Sequence, residues 1–142
     1  MPTTAPPILD RSVQKANIWL KDLCDELESD DRQYAYHVLR GFLHAVRDRI
    51  PIEESAQLSA QLPLLIRGIY YERWHPSRTP ETYHDVHPFL DRVALEAGLA
   101  GETEASFAAA AAARVLCAHV SPGEIEDIVR VLPPAVRELF AV

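Results

Sequence analysis

At 142 residues, with 48% apolar and 25% charged residues, the chain has room for one ordinary domain or for two small units sharing a core, and its balance excludes a disordered or fibrous protein. A net charge of -7, with Lys and Arg dispersed and acids gathered at Asp22 to Asp31, argues against nucleic acid or an anionic membrane as partner. Cys24 and Cys117 lie far apart without a CxxC, so neither a disulfide scaffold nor a cysteine zinc site is expected.

No run approaches the roughly 18 apolar residues of a membrane span. Met1-Pro2-Thr3-Thr4 leads into no signal-peptide pattern, so a cytoplasmic location is expected. Residues 1–10, with Pro2, Pro6 and Pro7, read as a loose tail. Ala16, Leu20, Leu23, Cys24 and Leu27 then form the apolar stripe of a first helix, which stops at the turn-like Glu28-Ser29-Asp30-Asp31. A second helix runs from about Arg32 to Arg49, with Ala35, Val38, Leu39, Phe42 and Val46 inward and His37, Arg40, His44 and Arg47 outward. A short third covers roughly Glu53 to Gln61, and Pro63 suits the first turn of a fourth.

The same plan returns. A helix near Phe89 to Ala97 is stopped by Gly98, and a long one runs from about Glu102 to His119. Ser121-Pro122-Gly123-Glu124 reads as a capping box, with the Ser121 side chain taking an orphan N–H and Glu124 reaching back. A final helix starts near Pro133, and no alternating β-branched run predicts a sheet.

Matching each residue to the one 70 positions later aligns the two halves without a gap. LPLLIRGIY (Leu62 to Tyr70) falls on LPPAVRELF (Leu132 to Phe140), and Trp19/Phe89, Leu20/Leu90, Leu23/Val93, Val46/Leu116, Glu54/Glu124 and Leu58/Ile128 follow the same shift. The expected fold is therefore all-α: two tandem four-helix repeats packed into one compact helical domain. Residues 11–72 form repeat one, 73–86 a junction rich in aromatics and histidine, and 87–142 repeat two.

The LPxxIRxIYYExW segment closing the first repeat and the HxxFLxRVA-like start of the second (His87-Pro88-Phe89-Leu90-Asp91-Arg92-Val93-Ala94) resemble the bacterial family catalogued as domain of unknown function 2267. The resemblance covers roughly residues 14 to 141, with YYExW as its most specific piece. It implies an all-helical bacterial protein and brings no catalytic residue, substrate or cofactor with it.

Two regions are candidates for function. The second long helix reads ASFAAAAAARVLCA from Ala105 to Ala118, apolar nearly all round, where its counterpart is half polar. The positions of His37, Arg40, His44 and Arg47 become Phe107, Ala110, Arg114 and Cys117. Such a face is either buried by the rest of the chain, with alanines allowing close packing, or is a surface for a protein partner or self-association. Cys24 reads as a small core residue; Cys117 is the more reachable thiol, and a redox role would need a lowered pKa, with Arg114 the plausible cationic neighbour.

The junction is the other candidate. Tyr70, Trp74 and Tyr83 either wedge the linker between the halves or, with Tyr71, His75, Arg67, Arg73 and Arg78, line a small-ligand pocket charged for an anion. His75, His84 and His87 are a weak metal set, because Pro88 disfavours a helical His87 and no HExxH is present. Neither GxSxG, P-loop nor dinucleotide fingerprint occurs, so no cofactor is expected. The leading expectation is a non-enzymatic helical interaction module. The alternative is a small-molecule or metal-binding protein, with an enzyme not excluded, using the junction.

Overall fold

A computed structural model describes residues 5–141 and contains eight α-helices, two 3-10 turns and, among the described residues, no strand. The helices are α1 (Pro7–Leu27), α2 (Arg32–Arg49), α3 (Ile52–Ala60), α4 (Leu64–Tyr71), α5 (His87–Ala97), α6 (Glu102–His119), α7 (Pro122–Val131) and α8 (Pro134–Arg137). The 3-10 turns are Pro76–Arg78 and Glu138–Phe140. Residues 7–10, assigned from the sequence to the loose tail, are the first turn of α1; residues 1–4 of that tail lie outside the described residues. His87, expected to be forced out of helical conformation by Pro88, opens α5, because a proline in the first helical turn removes an N–H that has no intrahelical partner anyway.

The boundaries and stop signals recur with a shift of 70 positions. Both α2 and α6 begin and end at equivalent residues, as do the starts of α3 and α7 and of α4 and α8. Glu28 (φ 56°) closes α1, with Ser29 N donating to Cys24 O at 3.0 Å. Gly98 (φ 69°) closes α5, with Leu99 N donating to Ala94 O at 2.9 Å. Arg67 Nε donates to Ser59 O at 2.9 Å and its Nη2 to Leu62 O at 3.0 Å. Arg137 treats the end of α7 the same way, reaching Leu132 O at 2.8 Å and Arg130 O at 2.9 Å. Each arginine thus satisfies carbonyls left open at the end of the helix before its own.

The long helices α2 and α6 lie at the centre. The first helix of each half packs on both long helices, α5 on α2 and α6 and α1 on α6 and α2, so the two halves share one core. Phe42 of α2 meets Phe89 of α5 edge to face at 5.8 Å, and Phe140 closes the other side at the same distance. Trp19 and Phe89, equivalent across the shift, are both buried. Ala105, Ala108, Ala109, Ala111, Ala112 and Ala113 are buried too, since α6 is surrounded by α1, α2, α5 and the C-terminal 3-10 turn. Small side chains there let the helix axes approach closely. Burial inside the chain therefore accounts for most of the apolar character of α6.

The capping box forms only in part. Ser121 Oγ accepts from Glu124 N at 3.3 Å, but the N–H that Glu124 would take is donated by Ser121 to Gln61 Oε1 at 2.8 Å. The Glu124 carboxylate is left buried, 7% exposed, with Oε1 unpartnered. Burial, then the charges of Glu54 and Asp127, push its pKa up.

Candidate functional site

The junction is held by the last two turns of α2. His44 and Arg47, expected to face solvent, are only 7% and 3% exposed, because the end of α4 lies over them. His44 Nε2 hydrogen-bonds the Ile69 carbonyl at 2.7 Å. Burial, reinforced by the charges of Arg47 and Arg40, lowers the His44 pKa despite that bond, which favours the neutral ring donating through Nε2–H. Arg47 Nη1 donates to Tyr70 O at 2.8 Å and Glu72 O at 2.7 Å, while Nε donates to Asp48 Oδ1 at 2.8 Å. Downstream, Glu81 N donates to Asp48 O at 2.7 Å and Arg49 Nε to Tyr83 O at 3.0 Å, with the Arg49 guanidinium over the Tyr83 ring. The junction is therefore pinned to α2 at both ends.

The aromatics satisfy one another and the fold. Tyr70 OH pairs with Ser55 Oγ at 2.8 Å, Tyr71 OH with Ser59 Oγ at 2.6 Å, and Trp74 Nε1 donates to Thr79 Oγ1 at 3.1 Å. The Tyr71 ring lies 5.2 Å from both Tyr70 and Trp74. Burial raises the Tyr70 phenol pKa, and burial together with Glu81 raises that of Tyr83. Tyr70 and Trp74 belong to the wedge of the structural reading with their polar tips engaged, while Tyr83 is held through its carbonyl and its ring face by Arg49.

Beside this wedge an open cleft of about 310 Å³ is lined by Asp48, Arg73, His75, Arg78, Thr79, Glu81 and Arg92. Of the junction residues singled out from the sequence, Arg73, His75 and Arg78 line it; Tyr70, Tyr71, Trp74 and Tyr83 do not, and Arg67 caps α3 instead. Asp48, Thr79, Glu81 and Arg92 escaped the sequence reading. Arg92 sits inside the quoted HxxFLxRVA segment, and only folding shows that it reaches back to α2. Arg92 Nη1 pairs with Asp48 and Nη2 donates to Glu81 Oε1 at 2.8 Å. Burial opposes the Asp48 charge, but hydrogen bonds from Arg47 and Arg92 outweigh it and hold this carboxyl below its ordinary pKa.

No three of His, Cys, Asp or Glu among the described residues come together as metal ligands. His75 lies in the cleft, His84 is exposed, and His87 Nδ1 pairs with Glu102 Oε1 at 2.6 Å, which raises its pKa.

On α6, Phe107 is 48% exposed, whereas Ala110, Arg114 and Cys117 are half-buried. Arg114 Nε donates to Glu26 Oε2 at 2.6 Å, and burial raises the Cys117 pKa, opposite to what a redox thiol needs. The larger apolar exposure is elsewhere. Of the nine large apolar side chains left exposed among the described residues, Ile8, Leu9, Val13 and Ile18 are on α1 and Leu64 and Leu65 on α4. Two adjoining grooves run along this side of α1, one of about 290 Å³ including Ile8, Arg11, Lys15 and Leu64, the other of about 270 Å³ including Lys15, Ile18, Trp19 and His119.

No helix of the described residues is long and apolar enough to cross a membrane. No curated protein matches the chain. The family model described as "Uncharacterized conserved protein (DUF2267)" matches residues 16–139, which takes in α2 to α8, the whole junction and α1 from Ala16 onward. The chain belongs to the DUF2267 family.

Proposed function

We propose that the chain is a helical interaction module whose working surface is the outer face of α1 and whose partner is a second copy of itself. The supporting observation is the ordering of one exposed stripe. Arg11, Lys15, Ile18, Asp22 and Asp25 follow one another at steps of four and three, so they share a helix face, with Ile18 52% exposed at its centre and Asp22 half-buried beside His119, whose Nε2 it pairs with at 2.7 Å. Two such helices laid antiparallel about Ile18 set Lys15 against Asp22 of the second copy and Arg11 against Asp25. Ile18 then packs on its own equivalent, and Ile8 and Leu64 extend the apolar strip. A surface built on one helix is small, so the pairing is weak and reversible.

Sedimentation across a concentration series tests this. Ile18→Glu abolishes association, Arg11→Glu and Asp25→Lys each weaken it, and the double exchange restores it; Phe107→Glu leaves it unchanged. A monomeric mass at every accessible concentration sinks the proposal, and failure of the double exchange to restore association sinks the antiparallel register. The cleft lined by Arg73, His75 and Arg78 favours a second reading, in which the junction holds a small molecule.

A further inference from the structure

The cleft at the junction contains more cationic charge than its own acids engage. Asp48 is paired with Arg92 and with Arg47, which lies outside the cleft lining, and Glu81 with Arg92, so both carboxylates are engaged by arginines other than Arg73 and Arg78. Arg73 and Arg78 remain. Their side chains make no hydrogen bond or ion pair among the described residues, nor does the His75 ring, although all three line the same cleft. In an acidic chain, whose carboxylates outnumber its Lys and Arg by 21 to 14, two neighbouring arginines with no acid between them are a local inversion of charge.

The backbone beneath them is fixed. Arg73 sits in left-handed conformation (φ 57°), unusual for a residue with a side chain. It follows directly on the α4 terminus whose Tyr70 and Glu72 carbonyls are held by buried Arg47. Arg78 ends the 3-10 turn Pro76–Arg78, in which Arg78 N donates to His75 O at 2.9 Å. Thr79 Oγ1 takes the Trp74 indole N–H and donates to His75 O at 3.3 Å. Beyond it, Glu81 is tied to Asp48. Donors carried on a strap anchored at both ends lose little freedom when they bind, which is the condition for a weakly charged patch to become a site.

We infer that the junction cleft binds a small dianionic oxyanion, a phosphate or phosphomonoester, on Arg73, Arg78 and His75. This rests on the reading of the junction as a ligand cleft. Two guanidinium forks match tetrahedral oxyanions bidentately, and a phosphomonoester at neutral pH carries about -1.5 to -2, equal to the charge the arginines leave over. The cleft, about 310 Å³ and open on one side, is at the small end of ligand sites, which suits a phosphate group and a short attached moiety. Asp48 and Glu81, which also line the cleft, are held by Arg92, so an anion there is left to Arg73 and Arg78.

Inorganic phosphate is the probe, titrated into the intact chain at constant ionic strength against chloride, with backbone amides and the Trp74 indole N–H followed by NMR. The expected result is saturable movement confined to residues 73–81 and the Trp74 indole, with phenyl phosphate at least as strong. Arg73→Gln and Arg78→Gln each weaken binding at least about tenfold, since a charge-assisted bidentate contact is lost. Both side chains are exposed, so the variants keep the parent melting temperature. Arg130→Gln, an exposed cation on α7 far from the cleft lining, changes nothing. Shifts that are absent, non-saturating, or equally produced by chloride overturn the inference. Movement of the same resonances by neutral phenol but not by phosphate overturns the anion while keeping a ligand cleft.

Discussion

Arg47 Nη1 donates to the Tyr70 carbonyl at 2.8 Å, and with this bond a charged side chain of α2 becomes the buried end-cap of α4. The same guanidinium takes Glu72 O and both carboxylate oxygens of Asp48, so its loss strands two carbonyls and half the compensation of a largely buried acid. Arg47→Met is expected to destabilise by about 3 kcal/mol or more, the range for breaking a buried ion pair from one side. Arg47→Lys, which keeps charge but not the fork, falls between. Urea midpoints at unchanged slope measure both; equal stability of all three proteins contradicts the account.

Glu124 and His44 pull the pH dependence in opposite directions. The Glu124 pKa is raised in the fold, so the folded state holds this proton more tightly; its contribution is present below the unfolded value and declines as pH rises through the folded one. Glu124→Gln removes that decline and gains of order 1 kcal/mol at neutral pH, the scale of an unsatisfied buried polar group. The His44 pKa is lowered, so its contribution is complete above 6.5 and is lost as pH falls, because the unfolded chain protonates first. His44→Gln flattens that acidic limb. Thermal melts across pH resolve the two, and a variant whose profile parallels the parent's refutes its own assignment.

Two glycines inside helices should respond oppositely to alanine. At Gly41, where α2 crosses α5, an added Cβ meets Glu96 Cβ at 3.0 Å and Val93 Cα at 3.3 Å, so two helices must part. Gly41→Ala is expected to cost about 1–3 kcal/mol despite the better helix propensity. At Gly68 in α4 nothing lies within 4 Å, and Gly68→Ala should stabilise by about 0.5–1 kcal/mol through the unfolded state. Melting temperatures that move the same way for both argue against close packing at the crossing.

The local layer of this fold was legible in the chain. The limits of α2 and α6 matched the sequence reading at both ends, since Asp31 and Gly101 precede polar-to-apolar periodic runs and proline or glycine stops follow. The aromatic wedge read at Tyr70, Trp74 and Tyr83 was legible as a cluster, and the structure adds Tyr71 between Tyr70 and Trp74. The cleft was readable only in part: Arg73, His75 and Arg78 stand close in sequence, whereas Asp48 and Arg92 are brought to them by the packing of α5 on α2.

The sequence by itself determined most helix limits and the shift of 70 positions, because periodicity and proline chemistry act over a few residues at a time. Tertiary structure alone decided which polar residues are buried. His44 and Arg47 carry an outward periodicity and still end up covered, while Leu9 and Val13 are apolar and remain half in water. Burial depends on what another part of the chain lays over a face. The packing that sets α5 and α1 each against both long helices is a long-range choice that helical spacing within one segment does not encode.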